Sequence, residues 1–440
     1  MYGEEMAGYY GLLPSSGTPF ASQIYDASTG ETWADFFVDY TMSRLAELVK
    51  LNDAAKTAGF TLPEEDRQEI SQSIESMVVE ASMLQYASLD AYLQYRFSPS
   101  INEAAFRKIM EFVYTASAYS EFMLDSFTYT PERLTEYYSE NSDMLDIYRF
   151  RSFQVVIPDV HEDDYDTTEE YEAALEAAVQ EAHDTAAEIA AGITDEEAYI
   201  AAADLYNEAY DEPESTFIEF PGHYMSDSGA VYLSWLTDAG RAQGDVGTVE
   251  STNGVYVLFF LERDKNDYYM AEMRQILMMP DSVDSSIYND GEEDPLYIEA
   301  VAESEAANAA VAEQVFAQFK EAGGTEAALL SLMTEYSDDT TEGGFYNKIA
   351  KEQMSNSSLH IKLVPEIEQW LFAPERVAGE YDLIKSEAYG YHLVYFTGPG
   401  MRYCDFISDN ALRTADYGEW KDKLDAVESA KRWAFIFTSY

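Results

Sequence analysis

The sequence predicts an α+β protein: an all-helical first third, two tandem copies of one α+β domain, and a C-terminal helix–strand extension. Three observations carry this. Helical periodicity runs from Thr32 to about Met144. Short apolar strands alternate with helices from about residue 147 onward. The second part also repeats itself: Trp235, Leu236, Arg241, Gly244 and Ser251 recur 135 positions later as Trp370, Leu371, Arg376, Gly379 and Ser386, and Gly254 recurs one residue further on as Gly390. A repeat this long means two copies of a domain, because solenoid units run only about 20–50 residues.

Residues 1–30 are rich in Gly, Ser, Tyr and Pro and read as a flexible tail. The helical domain spans 31–146. Thr32 is placed to cap its first helix, Leu45, Leu48 and Val49 recur at helical spacing, and Gly59 stands where the helix should stop. Pro63 followed by Glu64, Glu65 and Asp66 announces a second helix, since acids in a first turn suit the helix dipole. Its apolar stripe is Ile70, Ile74, Met77, Val78 and Ala81. Helices over 89–97 and 102–127 follow, the latter with Phe106, Ile109, Met110, Val113 and Tyr114 on one side. Thr130-Pro131-Glu132-Arg133 starts another, with Pro at the first helical position, running to Met144.

The first repeat covers 147–266. Phe153–Pro158 reads as a short buried strand, followed by helices over 167–192, 195–210 and 231–238. Strands over 245–250 and 255–261 flank the hairpin signal Asn253-Gly254. The second repeat, 267–400, keeps the order: a strand at Arg274–Pro280, helices over 297–322, 325–335 and 363–373, then strands over 380–385 and 391–396. Matching the entry strands sets Gln154 against Gln275 and Pro158 against Pro280. The extension, 401–440, holds a helix over 412–427 and an apolar strand at Trp433–Phe437.

Charge excludes several functions. With 26 Lys+Arg against 83 Asp+Glu, the formal net charge is -57. Nucleic-acid binding needs a basic footprint, and an anionic membrane surface repels such a chain. No stretch of about 18 apolar residues is present, so no direct membrane insertion is expected. Cys404 is the single cysteine, which rules out an intramolecular disulfide and a cysteine-based metal site. The acidic runs His161–Asp164 and Asp290–Asp294 lack the alternating ligands of an EF-hand loop and read as solvated loops. No metal or cofactor is expected. Residues 1–30 lack the basic and apolar regions of a signal peptide.

Several ordered pieces of the second repeat carry a family likeness: Arg274-Gln275-Ile276-Leu277, Tyr336-Ser337-Asp338-Asp339, Gly343-Gly344, Met354 and Gly390-Tyr391-His392. In order and spacing this repeat resembles a parvulin-type (PpiC-like) prolyl isomerase domain. The helical first third, with Tyr137-Tyr138 and Glu140-Asn141 near its end, resembles the client-binding domain of chaperones of the SurA and PrsA type. The resemblance implies an extracytoplasmic foldase, at the cell surface or secreted, with its export or anchor segment outside this sequence. Its partners would be unfolded or partly folded polypeptides, and it would need no cofactor.

The implied chemistry breaks no bond. Rotation about X–Pro faces a barrier of about 18–20 kcal/mol because it destroys amide resonance. A site needs an apolar pocket for the ring and polar groups that favour the twisted amide. In the family these are Met and Phe side chains, with two histidines and an Asp or Cys. Carried over, Asp339 takes the Asp/Cys position, His392 the later histidine, and Gln275 stands where the first histidine belongs. Met354 and Phe372 seat the proline, Ile367 replaces the other pocket Phe, and Gly343-Gly344 form the backbone turn beside the site. In the first repeat Gln154 and Tyr256 replace the histidines and no Gly-Gly pair follows, so any isomerase activity belongs to the second repeat. A non-catalytic holdase or scaffold is the alternative, favoured by Gln154 and Gln275. The acidic connection through Asp281, Asp284, Asp290 and Glu292 would repel phosphate, which argues against phosphoserine-directed isomerisation.

Overall fold

The structure is a computed structural model that describes residues 19–210, 216–222, 230–351 and 363–426. The protein is mixed helix and sheet, with small antiparallel sheets. It forms two compact units, Met1–Tyr129 with Asp409–Tyr440, and Thr130–Ser408.

In the first unit, helix α1 (Trp33–Ala58) starts at a capping box. The Thr32 hydroxyl accepts from Asp35 N, and the Asp35 carboxylate accepts from Thr32 N. Gly59, at φ 69°, closes it in the left-handed conformation that glycine adopts without strain. Helices α2 (Glu64–Met83), α3 (Leu89–Arg96) and α4 (Glu103–Ser126) follow, the last two capped by Ser88 and Asn102. Ile70, Ile74, Leu93 and Phe106 form the core with Leu62. The core-facing stripes are narrower than the sequence reading drew them. Residues 70, 74, 77 and 81 share one helix face, whereas Val78 sits beside it and is exposed; Ile109 and Val113 lie off the 106–110–114 line and are exposed too. Part of the expected tail is ordered as a small hairpin, β1 (Ile24–Asp26) and β2 (Glu31–Thr32).

The last described helix runs from Tyr403 to Asp425, nine residues earlier than expected. From Asp409 on it belongs to the first unit. There Arg413 meets Asp125, the Lys421 ammonium lies 2.5 Å from Glu47, and Lys50 Nζ donates to the Asp425 carbonyl at 2.6 Å. The strand expected at Trp433–Phe437 lies outside the described residues.

The second unit opens with α5 (Pro131–Glu140), capped by Thr130, and a single turn, α6 (Ser142–Leu145); the expected continuous helix to Met144 breaks at Asn141. Next comes β3 (Ile147–Val156), then α7 (Thr168–Gly192), α8 (Glu196–Tyr210), β4 (Thr216–Pro221), α9 (Ala230–Leu236), β5 (Val246–Ser251) and β6 (Gly254–Asp264). The second series is β7 (Tyr269–Met278), α10 (Pro295–Glu321), α11 (Glu326–Tyr336), β8 (Phe345–Ile349), α12 (Pro365–Leu371), β9 (Tyr381–Ser386), β10 (Gly390–Arg402) and the start of α13 (Tyr403–Asp425). The strand orders are β4-β3-β6-β5 and β8-β7-β10-β9. The two series therefore share one topology, strand for strand. In each, the pair of longer helices covers one face of the sheet and the short helix the other.

Side chains repeat as well. Arg241 and Arg376 each lie 3.7 Å over the ring of Trp235 or Trp370. Each donates from Nε to that tryptophan's own carbonyl at 3.0 Å and reaches a carboxylate four residues on, Asp245 or Glu380. The tryptophans are thus clasped structural anchors.

Sheet register corrects one match. Tyr256 pairs with Gln154 and Leu258 with Ser152, whereas His392 pairs with Leu277 and Val394 with Gln275. With Gly254 set on Gly390, the counterpart of Gln275 is Ser152, not Gln154. A repeated ion pair supports this frame: Arg151 Nε to Glu196 at 2.7 Å and Arg274 Nε to Glu326 at 2.5 Å, each Glu being the first residue of α8 or α11. The mismatch was two residues, which keeps side chains on the same face and so leaves the apolar pattern unchanged.

Candidate functional site

The site lies on the α12 face of the second sheet. Gln275 projects from β7 and His392 from β10, both buried. Asp339 follows α11, Tyr346 stands on the edge strand β8, and Ser386 ends β9. Hydrogen bonds join these five elements. His392 Nδ1 lies 3.0 Å from Gln275 Oε1, and its Nε2 lies 2.8 Å from Ser386 Oγ. Gln275 Nε2 donates to Asp339 Oδ2 at 2.7 Å and to Tyr346 Oη at 3.3 Å. The Tyr346 hydroxyl donates to the same Oδ2 at 2.6 Å, and Thr341 N donates to Oδ1 at 2.9 Å.

Asp339 fixes the direction of the chain. An ionised carboxylate only accepts, so the Gln275 amide turns its NH2 toward it and its oxygen toward His392. His392 therefore carries its proton on Nδ1, and Nε2 accepts from Ser386, whose oxygen in turn accepts from Tyr389 N at 3.2 Å. Electrostatics agree. Burial pushes His392 down to about 4 against the pull of Glu366 and Asp339, so the ring is neutral at pH 7. Burial alone would raise Asp339. Hydrogen bonds from Tyr346, Thr341 and Gln275 outweigh it and hold the carboxyl below its usual range. Burial and the Asp339 bond raise Tyr346.

Beside this chain stands an apolar wall. Ile367 and Leu371 of α12 are buried with Met273, Val394 and Phe396, and Phe372, Ile384 and Tyr346 pack against them. Tyr346 thus belongs to both the polar chain and the wall. The Phe372 ring meets Tyr268 edge-on at 6.2 Å, and Lys351 Nζ approaches it at 5.7 Å. Gly343 and Gly344, at φ 59° and 53°, bring the loop onto β7; a Cβ on Gly344 would fall 2.3 Å from the Gln275 carbonyl. Gly343 O accepts from Arg274 Nη1 at 2.7 Å.

The structure therefore brings Gln275, Asp339 and His392 into one bonded chain and Ile367 and Phe372 into one cluster, with Gly343-Gly344 behind. Met354 lies outside the described residues. Tyr346, Ser386 and Thr341 escaped the sequence reading as site residues. Ser386 was visible as a repeated position, and Tyr346 as the aromatic residue two after the Gly-Gly pair. In the first repeat, Tyr256 occupies the place of His392, with the Tyr232 ring edge-on to it at 4.8 Å. Gln154 Nε2 bonds Ser251 at 2.7 Å instead. That face carries hydroxyls and an amide where the second repeat has an imidazole and a carboxylate.

Chemically, the chain is a fixed polar rail beside a buried apolar cluster whose partly exposed members are Phe372, Ile384 and Tyr346. Both nitrogens of His392 are engaged, so proton abstraction is not its task without rearrangement. Asp339 is a held anion, and Tyr346 a hydroxyl oriented by it. Among the described residues, no group of three His, Cys, Asp or Glu side chains is placed to hold a metal ion. No family model matches the chain, and no curated protein matches it.

Proposed function

We propose that the protein is a foldase that acts outside the cytoplasm. Its helical region, 31–146, would hold unfolded polypeptides, and the second of two parvulin-like domains (147–266 and 267–400) would isomerise X–Pro bonds weakly. The observation that carries this is the union of Gln275, Asp339 and His392 in one hydrogen-bonded chain next to Ile367 and Phe372. A proline ring lodged against the half-buried Phe372, which Ile367 backs from the core, would place its amide beside Tyr346 and Asp339. There, low solvation disfavours the polar planar amide, and fixed dipoles favour the twisted one. No proton need move. In a protease-coupled assay on proline peptides, we expect a rate above background that falls about tenfold in Asp339→Ala. A rate equal to background in wild type would remove the isomerase.

A non-catalytic holdase is the second reading. The full engagement of His392 favours it, because a ring bonded at both nitrogens is a structural link. Suppressed aggregation of an unfolded client with no isomerisation would select this reading.

A further inference from the structure

The first half of α1 stands apart from the core of its unit. The residues α1 buries are Val49, Leu51 and Ala55, all in its second half. Ahead of them lies a continuous aromatic face. Tyr25 stacks on Phe36 at 4.2 Å and meets Trp33 edge-on at 4.8 Å. Phe20 meets Phe37 at 5.4 Å, and Phe36 stacks on Tyr40 at 6.1 Å. Ile24, Val38 and Tyr40 remain more than half exposed. Burial of this much apolar surface is forgone unless something covers it.

Charge names the cover. Between Pro19 and Ser43 the chain carries Asp26, Glu31, Asp35 and Asp39 and no Lys, Arg or His. Asp26 and Asp35 are kept ionised by bonds from Ser28 and Thr32, and Asp39 is exposed. We propose that this face binds a polypeptide segment in which Lys or Arg alternates with aromatic or aliphatic residues. Its apolar side chains cover the rings, and its cations reach the four carboxylates and the ring faces, which attract cations electrostatically. A second copy of this chain is the poorer occupant, since it would set the same carboxylates against themselves. This inference deepens the client-holding half of the reading above. It needs no isomerase, and its test uses proline-free peptides so that the two fail separately.

The experiment is fluorescence anisotropy of a labelled (Lys-Phe)n peptide with the full chain, alongside oligolysine and (Glu-Phe)n. We expect (Lys-Phe)n to bind most tightly and to stay bound at about 0.5 M NaCl, where exposed charges are largely screened. Affinity should drop about tenfold in the double variant Tyr40→Ala/Asp39→Asn, both surface changes that leave the core alone. Quenching or shift of tryptophan emission on binding should vanish in Trp33→Phe. Equal affinity for oligolysine, equal affinity for (Glu-Phe)n, or no effect of the double variant would overturn the proposal. So would binding that emerges only when residues 427–440, with Lys431 and Arg432 ahead of Trp433, are deleted, since the occupant is then the chain's own end. Self-association abolished by the double variant, without peptide binding, would assign the face to a second copy.

Discussion

His392 is a titratable ring held neutral, and that has a measurable cost in acid. Its proton affinity lies near 4 in the fold against 6.5 for a free side chain. Between these values the unfolded chain binds a proton that the folded site refuses. The contribution is therefore complete above about pH 6.5 and is lost as pH falls toward 4. We expect the urea stability of wild type relative to His392→Gln to shrink between pH 7.5 and pH 4.5; a constant difference would refute it. Gln275 is the second test at this scale. Replacing it with Leu leaves the His392 Nδ1–H without its acceptor and removes a donor from Asp339. We expect a loss of about 2–3 kcal/mol in denaturant titration, more than its volume change explains. It was the resemblance to a parvulin-type domain, carried over residue by residue, that grouped Gln275, Asp339 and His392 in one site. Tyr346 and Ser386 were marked by position but not by role, because nothing in a linear pattern says that an edge-strand hydroxyl bonds a loop carboxylate or a buried imidazole. The sequence reading also mismatched Gln154, since a two-residue shift of a strand keeps every side chain on its face.

At the scale of elements, helices with caps were legible and edge strands were not. Thr32 and Thr130 announced their helices because each side chain accepts a free amide of the first turn. Strands β4 and β8 went unread. β8 is five residues long and carries Asn347 and Lys348, the polar content by which edges avoid pairing with other chains. The junction of α5, α6, β3 and β6 rests on Asp146, which is buried. It accepts from the Tyr138 hydroxyl at 2.6 Å and from Arg263 Nε at 2.6 Å. Asp146→Ala leaves a guanidinium and a phenol without their shared acceptor. Because Arg263 keeps Asp143 at 2.7 Å, we expect a loss of about 2–3 kcal/mol, visible as a lower thermal midpoint, with Asp146→Asn recovering part of it. Arg376→Lys should also destabilise, by about 1–2 kcal/mol, because an ammonium cannot stack on Trp370 and bond its carbonyl at once.

Over the whole molecule, charge and duplication dominate. A net charge of -57 repels itself in any compact state. Raising salt from about 0.02 to 0.5 M should therefore raise the thermal midpoint by several degrees. The duplication was legible because Trp, Arg and Gly sit at fixed offsets, and those residues prove to be one bracket: a ring, a guanidinium on it and a tight turn. What differs between the copies includes the polar groups on the site's sheet face, Ser152 and Tyr256 in the first against Gln275 and His392 in the second. The first sheet is thus a blank casting of the second, with the same mould and no inscription. Writing Ser152→Gln and Tyr256→His into it should seat an amide–imidazole couple on a backbone already shaped for one, and the ring's nitrogen NMR shifts would report whether the graft had taken.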